Sequence, residues 1–453
     1  MNRWIVPLAA LAAVAGATAA TTFAVPALQP PAEKVPADDA RLSVLCPAVT
    51  SATATVQVAA TATGPGLRTA SLAEVETPKD AEGVTVLTAP AGPQVVSGLR
   101  STTFGAVSAV RATAGPERGL SATTCATPAT EQWFTAVGMS ESEQADLVLT
   151  NIDSVDAIVD VTVYGPQGRI ASQGVRGVVV AAASSRTVPL SVVASSPDPV
   201  GVQVTSDQGR VAATLRQHLW DGSKPLGTDW IPVAAAPAKQ VVIPGLPDGD
   251  GLRRLVVTNP GERTTGIDLM VLTADGNNQL PGLENLEVPA GTTREFDLTD
   301  ALAGEAAALS LSADYPVTAA VRAASPGTDR SDPVWLAALP PVGDDGVWLL
   351  PSAQKSETLL QFANPAAAEA RLRVTLGTSQ PIEVKVPAGG IATTPVPAAA
   401  TVVVRVEGAG RAVRGALVTR EDLDKIRGVA AVPLVTSESS IVVPQTVFDP
   451  HAG

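Results

Sequence analysis

At 453 residues the chain is too long for one compact core, and about three or four domains are expected. Hydrophobic residues make up 45% and charged residues 17%, which excludes a disordered polyanion. The net charge of −13, with no basic run longer than Arg253-Arg254, excludes nucleic acid as a partner, because neutralising phosphates takes clustered Lys and Arg. Only 3% of the residues are aromatic, so the cores must be filled by Val, Leu, Ile and Ala, which suits thin, repetitive β layers.

In chain order, residues 1–28 come first, with Arg3 as their one charge and an apolar run from Trp4 to Leu28. A positive start followed by an apolar run is an export signal. Ala17-Thr18-Ala19 offers a cleavage site, yet the run is also long enough to anchor in a bilayer, which takes about 20 residues. Either reading puts the rest of the chain outside the cytoplasm, with N-terminal membrane attachment in the second case. Residues 29–40 read as a Pro/Ala-rich tether. Cys46 and Cys125 bracket the next stretch, and two cysteines in an exported chain are expected to pair.

Three later segments align on an asparagine: Leu147-Val148-Leu149-Thr150-Asn151, Leu255-Val256-Val257-Thr258-Asn259 and Leu360-Gln361-Phe362-Ala363-Asn364. After each asparagine comes an alternating run, Val159/Val161/Val163, Ile267/Leu269/Val271 and Leu372/Val374/Leu376, which is the period of a half-buried strand. Gly168 and Gly276 follow as hairpin turns. Val211 to Arg216 recurs as Val317 to Arg322, and Trp230 recurs as Trp335. The Val288-Pro289-Ala290-Gly291 turn returns early as Val386-Pro387-Ala388-Gly389, so the last copy has lost about seven residues, most simply from a hairpin. Val107 to Ala112 resembles Thr318 to Ala323 and marks a fourth, divergent copy at the front.

The fold expected is all-β: tandem immunoglobulin-like antiparallel β-sandwich modules after an N-terminal signal or anchor segment. The modules span 41–130 (divergent, with the disulfide), 131–238, 239–343 and 344–453. Short Pro-containing joints favour a semi-rigid rod over a flexible string of modules, with a folded-back arrangement as the alternative. Helical character is confined to Ser140 to Asp146, Leu298 to Ala307 and Glu421 to Lys425.

No catalytic, cofactor-binding or metal-binding residues are predicted. Of the two histidines, His451 lies beside the C-terminus, leaving His218 as the one candidate base. It sits in Arg216-Gln217-His218-Leu219-Trp220, read as a loop, and Trp220 beside Asp221-Gly222 reads as exposed. His218, Trp220 and Asp221 are therefore the candidate ligand contacts. Trp133, Trp230, Trp335 and Trp348 read as packing residues, and Asp248-Gly249-Asp250-Gly251 reads as a tight turn in place of a calcium loop. The repeated asparagine reads as a turn residue whose side chain bonds the backbone two residues on.

The signal, the Ala/Val/Pro/Gly-rich composition, Leu255 to Pro260 (LVVTNP) and the Val-Pro-Ala-Gly turns resemble those of an uncharacterised family of actinobacterial exported or membrane-anchored envelope proteins, a domain of unknown function. The resemblance implies an envelope setting, alongside cell-wall glycan synthesis. The expected function is a non-enzymatic scaffold or interaction protein whose partner is an envelope protein or a cell-wall glycan. A glycan-binding protein and an accessory subunit of a cell-wall glycan enzyme are the alternatives. The former predicts an exposed aromatic such as Trp220, and the latter predicts clustered acids in a cleft.

Overall fold

The computed structural model describes residues 41–47, 49, 55–99, 102–171, 175–325, 331–343, 345–351, 356–397, 401–408 and 412–435. The signal or anchor, the tether and His451 lie outside them.

Alternating apolar residues and turn glycines produce an all-β chain of antiparallel sheets. One four-strand sheet recurs with the same order. In the second sandwich it runs Ser184–Pro189, Glu143–Asn151, Ala212–Asp221 and Lys224–Ile231. In the fourth it runs Gly390–Val396, Glu357–Asn364, Arg414–Leu423 and Ile426–Pro433. The third uses Thr292–Asp297, Arg253–Asn259, the end of the 18-residue strand Ala307–Ala324, and Pro333–Ala337. The first uses Thr85–Thr88, Thr55–Ala62, Phe104–Ala112 and Gly119–Thr124, so Thr55–Ala62 takes the place of the asparagine strand. A second sheet covers each, and the disulfide Cys46–Cys125 joins the two ends of the first sandwich.

The three asparagines are fully buried and make the same turn. Each side-chain carbonyl accepts the amide two residues on (Asp153, Gly261, Ala366) at 3.0–3.1 Å. Each side-chain amide donates to the carbonyl four residues on (Val155, Arg263, Ala368) and to the next strand at Val180, Val288 or Val386. These last partners lie 29, 29 and 22 residues from their asparagines. The difference of seven is a hairpin: Gly276–Gln279, which pairs with Thr265–Thr273 in the third sandwich, has no counterpart between Ala370–Leu376 and Ile382–Val386.

Two expectations are corrected. The stretches with helical character are not helices: Glu143–Asn151 is strand, 421–425 is the hairpin of Arg414–Leu423 and Ile426–Pro433, and 298–306 is irregular with turns at 299–304 before a strand begins at Ala307. Strand pairing outweighs the weak helical propensity of such short runs. Nor are the sandwiches a rod. The last strands of the four modules pack in a cycle, Gly119–Thr124 on Lys224–Ile231, that on Pro333–Ala337, that on Ile426–Pro433, and that back on Gly119–Thr124. Short joints fix the angle between neighbours, but the same sideways joint repeated closes on itself in four steps, as a repeated heterologous contact must when its rotation closes.

Candidate functional site

The residues that recur in the sequence form the joints. Arg111, Arg216 and Arg322 occupy the same position of their modules, and each meets an acid of the preceding one. Arg216 pairs with Glu117, Arg322 with Glu143, and Arg111 pairs across the closure with Glu421 at 2.9 Å. Arg420, two positions further along its strand, pairs with Asp248 and completes the cycle. The guanidiniums of Arg216 and Arg322 also lie over Trp230 and Trp335, at 4.9 and 5.7 Å. Trp230 packs on Val49 and Val110 of the first sandwich, and the Trp335 indole donates to Ala136 O of the second at 3.0 Å. Trp133, Trp230, Trp335 and Trp348 are all buried, in line with their reading as packing residues. Core clusters consequently run across the joints: Leu120 and Ala122 pack with the fourth core, and Val418 and Val429 with the third.

The sequence-predicted ligand contacts are placed differently from the expectation. Arg216 to Asp221 is not a loop but the end of strand Ala212–Asp221, and Trp220 is half-buried rather than exposed. The alternation of buried residues continues through Leu215, Gln217 and Leu219, so the strand extends further than the polar sequence suggests. His218 Nδ1 lies 2.9 Å from Thr228 Oγ1, whose hydroxyl donates to Pro116 O of the first sandwich. Nε2 faces Asp146 Oδ2 at 3.4 Å, and its hydrogen bond holds the Asp146 carboxyl below its ordinary range. His218 is thus tied into the joint between the first two sandwiches. Trp220 gives its amide to Ser142 O, and its buried indole nitrogen has no partner among the described residues. Asp221 stands exposed at the hairpin. His218 and Trp220 share a strand face, but neither they nor Asp221 line the cavity that opens among the first, second and fourth sandwiches. No exposed aromatic platform therefore forms at Trp220.

That cavity, of about 580 Å³, opens among the first, second and fourth sandwiches, where the connections 126–130 and 233–236 and Pro340 converge. Phe104, Thr214, Trp230 and Trp348 line it, as do Arg41 and Val435, the first and last described residues. Threonines and small residues give it a mixed lining of moderate polarity. Sequence reasoning missed it because its wall is assembled from three modules and their connections.

A second opening, of about 540 Å³, lies between the third and fourth sandwiches and carries Asp248, Asp250, Glu357, Glu421 and Asp422. Its acids include members of joints: Asp248 is held below the ordinary carboxylate range by Arg420, and Glu421 pairs with Arg111. The 248–251 segment is a turn, closed by the Arg253 guanidinium on Pro247 O and Gly249 O.

Where the last strands meet, two carboxyls are buried. Asp332 Oδ2 accepts the amides of Leu120 at 2.9 Å and Val429 at 2.8 Å, joining the third sandwich to the first and the fourth. Desolvation raises its pKa to about 7, against the pull of those amides and of Arg118. Asp229, on the second sandwich, accepts the Trp230 amide at 2.7 Å, and burial first and the Asp332 charge second push it well above the ordinary range. No signal in the sequence distinguishes these two among its 44 acids.

Among the described residues no helix is long and apolar enough to cross a membrane. The disulfide suggests an oxidising, extracytoplasmic environment. No curated protein matches the sequence. Among solved structures the chain is similar to a Streptomyces avermitilis alpha-L-rhamnosidase complexed with L-rhamnose, at 11% identity over 84% of this chain and 55% of that one, with a TM-score of 0.13. The chain thus spans about half the length of that enzyme. The sequence profile of the family of unknown function DUF5719 matches residues 75–407. With most of its length matched, this chain belongs to that family.

Proposed function

We propose that the protein is a non-enzymatic scaffold of the cell envelope, working outside the cytoplasm and holding a partner protein at the cavity among its first, second and fourth sandwiches. The observation that carries the reading is the cycle of Arg–acid joints, Arg216–Glu117, Arg322–Glu143, Arg420–Asp248 and Arg111–Glu421. The arginines that recur between modules go into fixing the sandwiches against each other, which suits a frame that keeps a binding surface in one shape. The cavity supports the location, since it is wide, half apolar and lined by residues of three sandwiches.

The test is cross-linking of the full chain in actinobacterial envelope extracts, against an unrelated sandwich protein and a Val233→Arg variant that fills the cavity wall. A partner enriched by the wild type and lost from the variant is expected. Equal recovery on wild type and variant removes the cavity from the reading, and no enrichment over the unrelated protein refutes the scaffold.

A further inference from the structure

Asp332 sits where all four sandwiches meet, 1% exposed, just before the last strand of the third. Its Oδ2 takes two backbone amides from two other modules, Leu120 N and Val429 N. Its own amide donates to Ser325 Oγ at 2.9 Å, and the Ser325 hydroxyl donates to Arg427 O of the fourth sandwich. Gly119 is required beside it: a Cβ there would stand 1.9 Å from Asp332 Oδ1, at a φ of +116°. The charged groups facing Asp332 come from two sides. Arg118 lies on the first sandwich, held by its bond to Leu226 O, and Asp229 lies on the second; the fourth offers the Val429 amide.

The two amide donors and Arg118 pull the carboxyl towards its charged form, but its full burial among four sandwiches opposes that pull and outweighs it, because an ion is costly to hold away from water. The neighbouring carboxyl of Asp229 adds to that cost, since two charges so placed repel.

We propose that Asp332 is a proton-operated latch: protonated, it holds the third sandwich closed on the first and the fourth, and loss of the proton to solvent loosens that junction. The sign follows from which form binds the proton more tightly. The closed form holds it up to about pH 7, whereas the open form releases it near the ordinary 3.8. Closure is therefore strongest in acid, weakens as pH rises between those values, and changes no further above about 7.

Hydrogen exchange of the full chain tests this, following the amides of Leu120 and Val429 with intrinsic exchange rates corrected for pH. Their opening constant should rise about fiftyfold from about pH 5 to 7, levelling off at the upper end, while amides of the sandwich interior such as Val257 stay flat. Asp332→Asn keeps an acceptor for both amides and cannot ionise, so it should abolish the rise. A flat wild-type profile overturns the latch, and so does an undiminished rise in Asp332→Asn. If that variant does not fold, the wild type decides: a rise confined to the two amides supports the latch, and a uniform rise refutes it.

Discussion

Replacing Asn259 with Ala removes a buried side chain that works as a four-way bracket. Its amide donates to Arg263 O at 2.7 Å and Val288 O at 3.0 Å, with Pro289 O at 3.2 Å sharing a proton, and its carbonyl accepts Gly261 N at 3.0 Å. Three principal hydrogen bonds at about 1 kcal/mol net each give roughly 3 kcal/mol, and buried groups left unpaired raise this toward 5. Asn259→Asp is the sharper test. It keeps the acceptor for Gly261 but turns the donor into a carboxylate oxygen aimed at two carbonyls, so it should cost more than Ala despite its nearly identical shape. Urea unfolding followed by far-UV circular dichroism reads both values, with the slope checked for loss of cooperativity among the sandwiches. Asn151→Ala should behave alike, since it breaks the same three bonds. A loss under about 1 kcal/mol for Ala, or an Asp variant no worse than Ala, would refute the bracket.

Two further outcomes are expected. Removing the disulfide with Cys46→Ala and Cys125→Ala should lower stability by roughly 4–5 kcal/mol in the loop-entropy account, for a closed loop of 79 residues; an unchanged urea midpoint with and without reductant would contradict it. At the closure of the cycle, Arg111 and Glu421 are 14% and 8% exposed, so Glu421→Gln alone should cost about 3 kcal/mol. The double variant Arg111→Met with Glu421→Leu should recover part of that loss in thermal unfolding, because it leaves no charge stranded; strictly additive losses would argue that the pair is not coupled.

How far the sequence reaches is clearest at its repeats. The asparagine turn, the alternating strands, the hairpin glycines and the seven-residue deletion are local matters, each set by backbone preference and side-chain period within a few residues, and the chain reads them out directly. The cysteine pairing was legible for the same reason, since only two were present. Trp220 and His218 show where local reading fails: a polar end of a strand looks like a loop until the neighbouring module covers it. The arginines and tryptophans could be seen to recur, but not what they touched. Their partners Glu117, Glu143 and Glu421 lie 99, 179 and 310 residues away along the chain, and no periodicity links such distant positions. The buried carboxyls of Asp229 and Asp332 were least visible. Nothing in their neighbouring residues sets them apart, and their chemistry exists only because closing the ring of sandwiches takes them out of water. The sequence by itself determined four β modules and their internal turns, because those depend on nearest neighbours; the tertiary structure decided that the modules close on one another, because a joint's angle is set by side-chain packing between distant segments.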